Sequence, residues 1–301
     1  MELWIYATIG ATIFQTLRFM LQKQLSMSAL STGGATFARF AYSAPLLATV
    51  LAVWLVASDT ELPALNARFW TMGAIGGLAQ ILATVCVVAL FRERNFAVGI
   101  TFKKTEVVQA ALVGLIILGE GVSILGLAAI LVGLTGVLLL SSAPEAKGSW
   151  QERLFTRAAG LGLASGLLFA ISGVTYRAAT LEVEADAPLL RAAVTLSAVT
   201  LMQFGAMSLW LRVFEQGQIR AVWGARRKAL WIGLMSLGGS LGWFLAFTLQ
   251  TAAYVKALGQ IELIFSLMVS VLVFKERLSV REGIAIGFLS ASVLLLILVA
   301  R

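Results

Sequence analysis

The stretch TFKKTEVVQAALVGLIILGE at residues 101–120 returns in outline as ALGQIELIFSLMVSVLVFKE at residues 257–276. Laid over one another, the two place Glu106 on Glu262 and Glu120 on Glu276, and the residues just beyond place Ser123 on Ser279 and VLLL at 137–140 on VLLL at 293–296. Apolar matches arise by chance in so apolar a chain. A glutamate inside an apolar run is costly in lipid and therefore rare, so two that repeat at one offset mark an internal duplication. Arg39 and Arg191 extend it, each opening the second apolar run of its half.

The rest of the chain has the same character. Of 301 residues, 59% are hydrophobic and 13% charged, with a mean hydropathy of +0.92; a soluble domain carries about a quarter charged residues. Crossing about 30 Å of hydrocarbon takes about 20 helical residues. Ten runs of that kind occur, at 3–24, 34–57, 69–91, 97–118, 122–141, 157–177, 188–211, 229–251, 257–275 and 281–300. They are continuously apolar and do not alternate, which favours helices over a barrel. The expected fold is an all-α integral membrane protein of ten transmembrane helices. Residues 1–142 form the first five-helix repeat, 143–156 a polar linker, and 157–301 the second repeat. With an odd number of spans in each half, the second half enters the membrane in the opposite sense. Carriers built from inverted repeats hold their substrate near the midplane between the halves.

The net charge of +8 marks topology and not a nucleic-acid partner. Most basic residues fall in loops on the side reached after the first span, among them Lys23, Arg92, Arg94, Arg212, Arg220, Arg226, Arg227, Lys228, Lys275, Arg277 and Arg281. The opposite side receives only Arg68, Arg177, Arg191, Lys256 and Arg301, together with the acidic Glu182, Glu184 and Asp186. The positive-inside rule then places both termini outside the cytoplasm.

With these features the chain resembles the drug/metabolite transporter superfamily, in particular its ten-helix EamA-type members, which include bacterial amino-acid exporters. The resemblance rests on the two five-helix halves, on Arg39 and Arg191, and on the glutamate-bearing segments LGEGVSILG at 118–126 and FKERLSVREG at 274–283. Gly121 departs from the pattern, standing where the second copy has Arg277. The resemblance implies a multi-pass protein of the bacterial inner membrane that exports amino acids or related metabolites without ATP hydrolysis, a single chain being sufficient. It implies no cofactor and no metal.

Charged and amide residues inside the spans are the candidates for substrate contact. Lys103 and Glu106, three positions apart, share a helix face that Gln109 continues, and could meet the carboxylate and ammonium of an amino acid. The alternative is a structural ion pair, with Lys104 reaching toward the cytoplasm. Glu262 has no basic residue three or four positions away, which makes it the candidate for proton coupling. Gln15, Gln80 and Gln260 are further candidates for substrate hydrogen bonds, interhelical bonding being the alternative. Trp243 and Phe247, four apart beside Phe244, could line an apolar pocket. Trp4, Trp54, Trp70, Trp150, Trp210, Trp223 and Trp231 lie near span ends and read as interfacial anchors. The glycine pairs Gly73/Gly77, Gly162/Gly166 and Gly283/Gly287 read as sites of close helix packing.

The chain has no histidine, which removes Ser-His catalysis, zincin metal chemistry and histidine proton relays. The single Cys86 permits no internal disulfide. A non-enzymatic carrier is expected. Its competitors are a proton-coupled exporter of cationic drugs and, from another class, a membrane scaffold or receptor.

Overall fold

The computed structural model describes residues 2–26, 30–91, 93, 102–141, 156–265 and 280–299. Among them there is no strand. The helices are α1 (Leu3–Ser26), α2 (Thr32–Ala57), α3 (Ala67–Leu90), α4 (Glu106–Leu118), α5 (Ile124–Ser141), α6 (Arg157–Leu181), α7 (Pro188–Phe214), α8 (Gln218–Gly224), α9 (Arg226–Leu249), α10 (Ala252–Leu258) and α11 (Val280–Val299). Six of these, α2, α3, α6, α7, α9 and α11, are long and apolar enough to cross a membrane. A helix satisfies its own backbone, which lipid cannot do. Glu276, Ser279, Arg277, Trp150 and nearly all of the expected linker lie outside the described residues.

Local chemistry sets several helix starts. Ser31, Asn66 and Thr156 stand at N-caps, and each side-chain oxygen accepts from the backbone N–H three residues on. α4 closes on Gly119 at φ 67°, where glycine avoids the left-handed penalty. Between α7 and α9 the chain forms the short α8, which the polar loop composition concealed. This segment is tied to the start of α2, because Ser31 N donates to Gln218 Oε1 at 3.0 Å and Ser31 Oγ to Glu215.

The main packings join one half of the chain to the other: α3 with α6, α1 with α9, α2 with α7, and α5 with α11. Each runs antiparallel. Along α3 and α6, Phe69 clusters with Val183, Gly76 meets Tyr176, and Val87 clusters with Phe169. Exchanging the halves turns the α3–α6 packing into α9–α1 and returns α2–α7 and α5–α11 to themselves.

Glycines set the closest approaches. A Cβ on Gly76 would lie 2.5 Å from Thr175 Oγ1 and 2.7 Å from the Tyr176 ring, and one on Gly242 would lie 2.8 Å from Ala7 O. Gly73 and Gly77 also face α7, at 3.4 Å from Val199 and Gln203 respectively, whereas Gly283 and Gly287 face open space, against the expectation that they pack. Trp4 is corrected too: it is 2% exposed within the core and donates to Glu2, while Trp54, Trp70, Trp210, Trp223 and Trp231 are exposed as anchors would be.

Two helix boundaries change the account of charge. The ninth run was expected from residue 257, but its helix begins at Ala252 after an extended break at Gln250. Lys256 therefore lies inside the bundle, its side chain 14% exposed, and not in an external loop. Likewise α6 continues to Leu181, so Arg177 is a helical residue with its side chain 13% exposed. Both leave the tally on the acidic side, and the charge asymmetry sharpens.

Candidate functional site

Charged side chains inside the bundle converge where α4 and α10 pass beside α6. Lys103 and Glu106 pair at 3.2 Å, as their spacing predicts. The other oxygen of Glu106 contacts Lys256 Nζ from α10. Both oxygens of Glu106 are thus engaged by lysines, so the expectation that this face offers a free carboxylate to a substrate ammonium fails. Gly166 on α6 makes the approach possible, since a Cβ there would lie 3.0 Å from Lys103 O.

Glu262 is not isolated either. Lys104 Nζ lies 3.9 Å from its Oε2, and Gln15 Nε2 donates to the same oxygen at 3.4 Å. Lys104 is buried and directed to Glu262, so it does not reach out of the bundle. Both partners come from the other half of the chain, where helical spacing cannot reveal them. Glu262 is thus a paired carboxylate, and isolation does not single it out for proton coupling.

Beside this cluster is a narrow cavity with about 20 Å³ of free space, room for about one water. Its wall is drawn from α1, α2, α3, α6, α9 and α10, and three cations line it: Arg18, Arg39 and Lys256. Arg39 is 4% exposed and, among the described residues, its guanidinium donates only to hydroxyls, Ser236 at 3.0 Å, Thr84 at 3.2 Å and Ser240 at 3.2 Å. Arg18 is 3% exposed, lies 4.3 Å over the Phe19 ring, and leaves Nη1 with no hydrogen-bond partner among the described residues.

The opposite wall is aromatic. Trp243 stacks on Phe247 at 5.8 Å, and Phe244 meets Tyr176 at 4.4 Å. Lys256 Nζ lies 5.1 Å from the Trp243 ring and 5.6 Å from Phe247, distances at which a cation is attracted by a ring face. Trp243 Nε1 donates to Gln15 Oε1 at 3.1 Å. Gln80 Oε1 accepts from Tyr176 OH at 3.1 Å and Gln203 Nε2 at 3.0 Å.

Of the residues singled out in the sequence, Gln15, Gln80, Trp243 and Phe247 line this cavity. Lys103 and Glu106 sit behind it, with Glu106 as the counter-charge of both Lys103 and Lys256. Gln260 does not reach it: this residue faces a separate void of about 10 Å³ beside Lys104, Ile130 and Ser292, and donates to Lys256 O at 3.4 Å. Arg18, Arg39, Lys256 and Tyr176 were missed as site residues. For the two arginines a signal existed, since an arginine inside an apolar run is as costly as the glutamates that drew attention. Arg39 and Arg191, matched in the sequence, part company: Arg191 caps the end of α6 by donating to Thr180 O and Leu181 O.

One edge of the site is fastened by Arg177. Its Nε lies 2.8 Å from both oxygens of Glu120, and its Nη1 donates to Phe247 O at 2.7 Å and Gln250 O at 2.9 Å. The last carbonyls of a helix lack internal partners, and the guanidinium fork supplies them at the break between α9 and α10.

No family model matches the chain, and no curated protein matches it. Among solved structures 28 chains are similar. One of them, the crystal structure of a protein of unstated activity, superposes with a TM-score of 0.65 over 96% of this chain and 99% of its own length, at 18% identity. At that identity the likeness concerns the fold alone. The class that fold and site define is a helical protein with several helices able to cross a membrane and a polar, charged cavity in its interior.

Proposed function

We propose that the chain is a secondary carrier of small metabolites, with amino acids as the expected class, working by alternating access between two inverted five-helix repeats in the bacterial inner membrane. The observation that carries this reading is the cavity: its cationic and aromatic lining comes from both halves of the chain. A merely structural core has no use for cations that lack carboxylate partners, because each costs several kcal/mol to bury. The packing of equivalent helices across the halves supports the inverted duplication, as do Glu106 and Glu262, each paired with a lysine of the other half. All ten spans, the exporting direction and the external termini belong to the same proposal.

The test is counterflow in proteoliposomes with labelled amino acids, nucleosides and cationic dyes, with and without a proton gradient. Exchange of an amino acid or a related acid is the expected result. Silence across the whole panel would overturn the carrier reading in favour of a scaffold or receptor. The sidedness is tested with a phosphatase fused after Arg301, which is expected to be active in the periplasm.

A further inference from the structure

Among the described residues the charges beside the cavity do not balance: Arg18, Arg39, Lys103, Lys104 and Lys256 meet Glu106 and Glu262, and both carboxylates are taken by lysines. The surplus falls on the two arginines. Arg39 is solvated by three hydroxyls, which carry no counter-charge, and Arg18 has an unpartnered Nη1. The carboxylate whose field reaches Arg18 is Glu262, which does not line the cavity and holds Lys104 and Gln15. Among the described lining residues none is acidic.

An arginine fork is matched to a planar oxyanion, with two parallel N–H donors for two oxygens. A buried guanidinium that faces a cavity with an unpartnered Nη1, beside a second one held only by neutral hydroxyls among the described residues, is therefore a place for an anion that the protein does not itself supply. The neighbouring aromatic wall of Trp243, Phe244 and Phe247 suits an apolar ring. Among the described lining residues no carboxylate remains for an ammonium, and Lys256, lying 5.1 Å from the Trp243 ring and 5.6 Å from Phe247, would repel one there.

We infer that Arg18 and Arg39 form an oxyanion subsite, and that the cargo of the cavity is a small aromatic organic acid recognised as its anion, with no requirement for an amino group. This rests on the carrier reading for transport but not for binding. The cavity is contracted around its side chains, so a ring enters when the helices on one face part; binding needs that single opening alone, and transport needs the opposite face to open as well.

Four compounds sharing a phenyl ring separate the possibilities: 3-phenylpropionate (anion), phenylalanine (zwitterion), phenethylamine (cation) and phenyl phosphate (anion with a different headgroup). Each is tested on the full chain for a rise in the thermal-unfolding midpoint in detergent, and for counterflow in liposomes. The expected result is binding and exchange of 3-phenylpropionate or phenyl phosphate, the preferred one identifying the oxyanion, and neither for phenethylamine. Arg18→Gln and Arg39→Gln are each expected to weaken anion binding about tenfold or more, the value of a charge-assisted hydrogen bond. Arg18→Lys, which keeps the charge, is expected to retain part of it. Preference for phenethylamine, binding of phenylalanine alone, or anion binding indifferent to Arg18→Gln and Arg39→Gln in monodisperse protein would overturn the subsite. Arg18-dependent binding without exchange of any solute would leave the subsite standing and remove the carrier. Exchange of other solutes with no anion binding would do the reverse.

Discussion

Glu106 and Arg18 occupy the same central layer, yet their surroundings are opposite. Glu106 has a lysine on each oxygen, one from three residues before it, just ahead of α4, and one from α10. Arg18 has an aromatic ring, a distant carboxylate and an unmade hydrogen bond. Charge that the chain compensates internally holds helices together, whereas charge it leaves uncompensated is available to something that arrives. The same layer thus contains a finished ion cluster and an unfinished one.

The largest effect is expected where the finished cluster is broken. Glu106→Ala leaves Lys103 and Lys256 buried without a counter-charge, and removing one partner of a buried pair costs about 3–5 kcal/mol; thermal unfolding in detergent should show this, and an unchanged midpoint would refute the structural role of Glu106. Glu262→Gln keeps a hydrogen-bonding side chain opposite Gln15 but strips Lys104 of its charge partner. With the pair at 3.9 Å and Glu262 partly accessible, the expected loss is smaller, about 1–3 kcal/mol. If instead the variant unfolds as readily as Glu106→Ala, the two glutamates are equals and the contrast disappears.

Arg18→Met tests the other side. Replacing an unpaired buried cation with an apolar side chain of similar length is expected to leave the unliganded protein as stable as before, or raise its stability by about 1 kcal/mol, the usual sign when a functional residue is given up. A large fall in the midpoint would mean that Arg18 has a structural task. Arg68→Ala provides the smallest step. That arginine pairs with Glu182 at 3.4 Å with its side chain 59% exposed, and surface pairs of this kind are worth at most about 1 kcal/mol. Counterflow by this variant should match that of the unaltered chain.

Much of the fold was legible because lipid imposes a simple demand: about twenty apolar residues in a row. The starts at Leu3, Thr32, Arg157, Pro188 and Val280 fall close to those read from the sequence. The ninth run was misjudged because Gln250 and Thr251 interrupt the chain before it and Lys256 resembles a residue at a membrane surface. The pair Lys103–Glu106 was legible because it lies within one helix turn. Lys256 on Glu106 and Lys104 on Glu262 were not, since a partner 150 or so residues away obeys no local spacing rule. The oxyanion subsite falls in the same category: Arg18 and Arg39 are marked by their cost, but their common cavity exists only after α1, α2 and α9 have packed.

Arg177 has a bearing on how this edge parts. Its one side chain joins the end of α6, the turn after α4 and the break between α9 and α10 through a forked ion pair and two carbonyl bonds. Different nitrogens of one guanidinium serve different segments, Nε the turn after α4 and Nη1 the break between α9 and α10. Parting these two segments at this edge therefore obliges Arg177 to give up either its carboxylate or its two carbonyls.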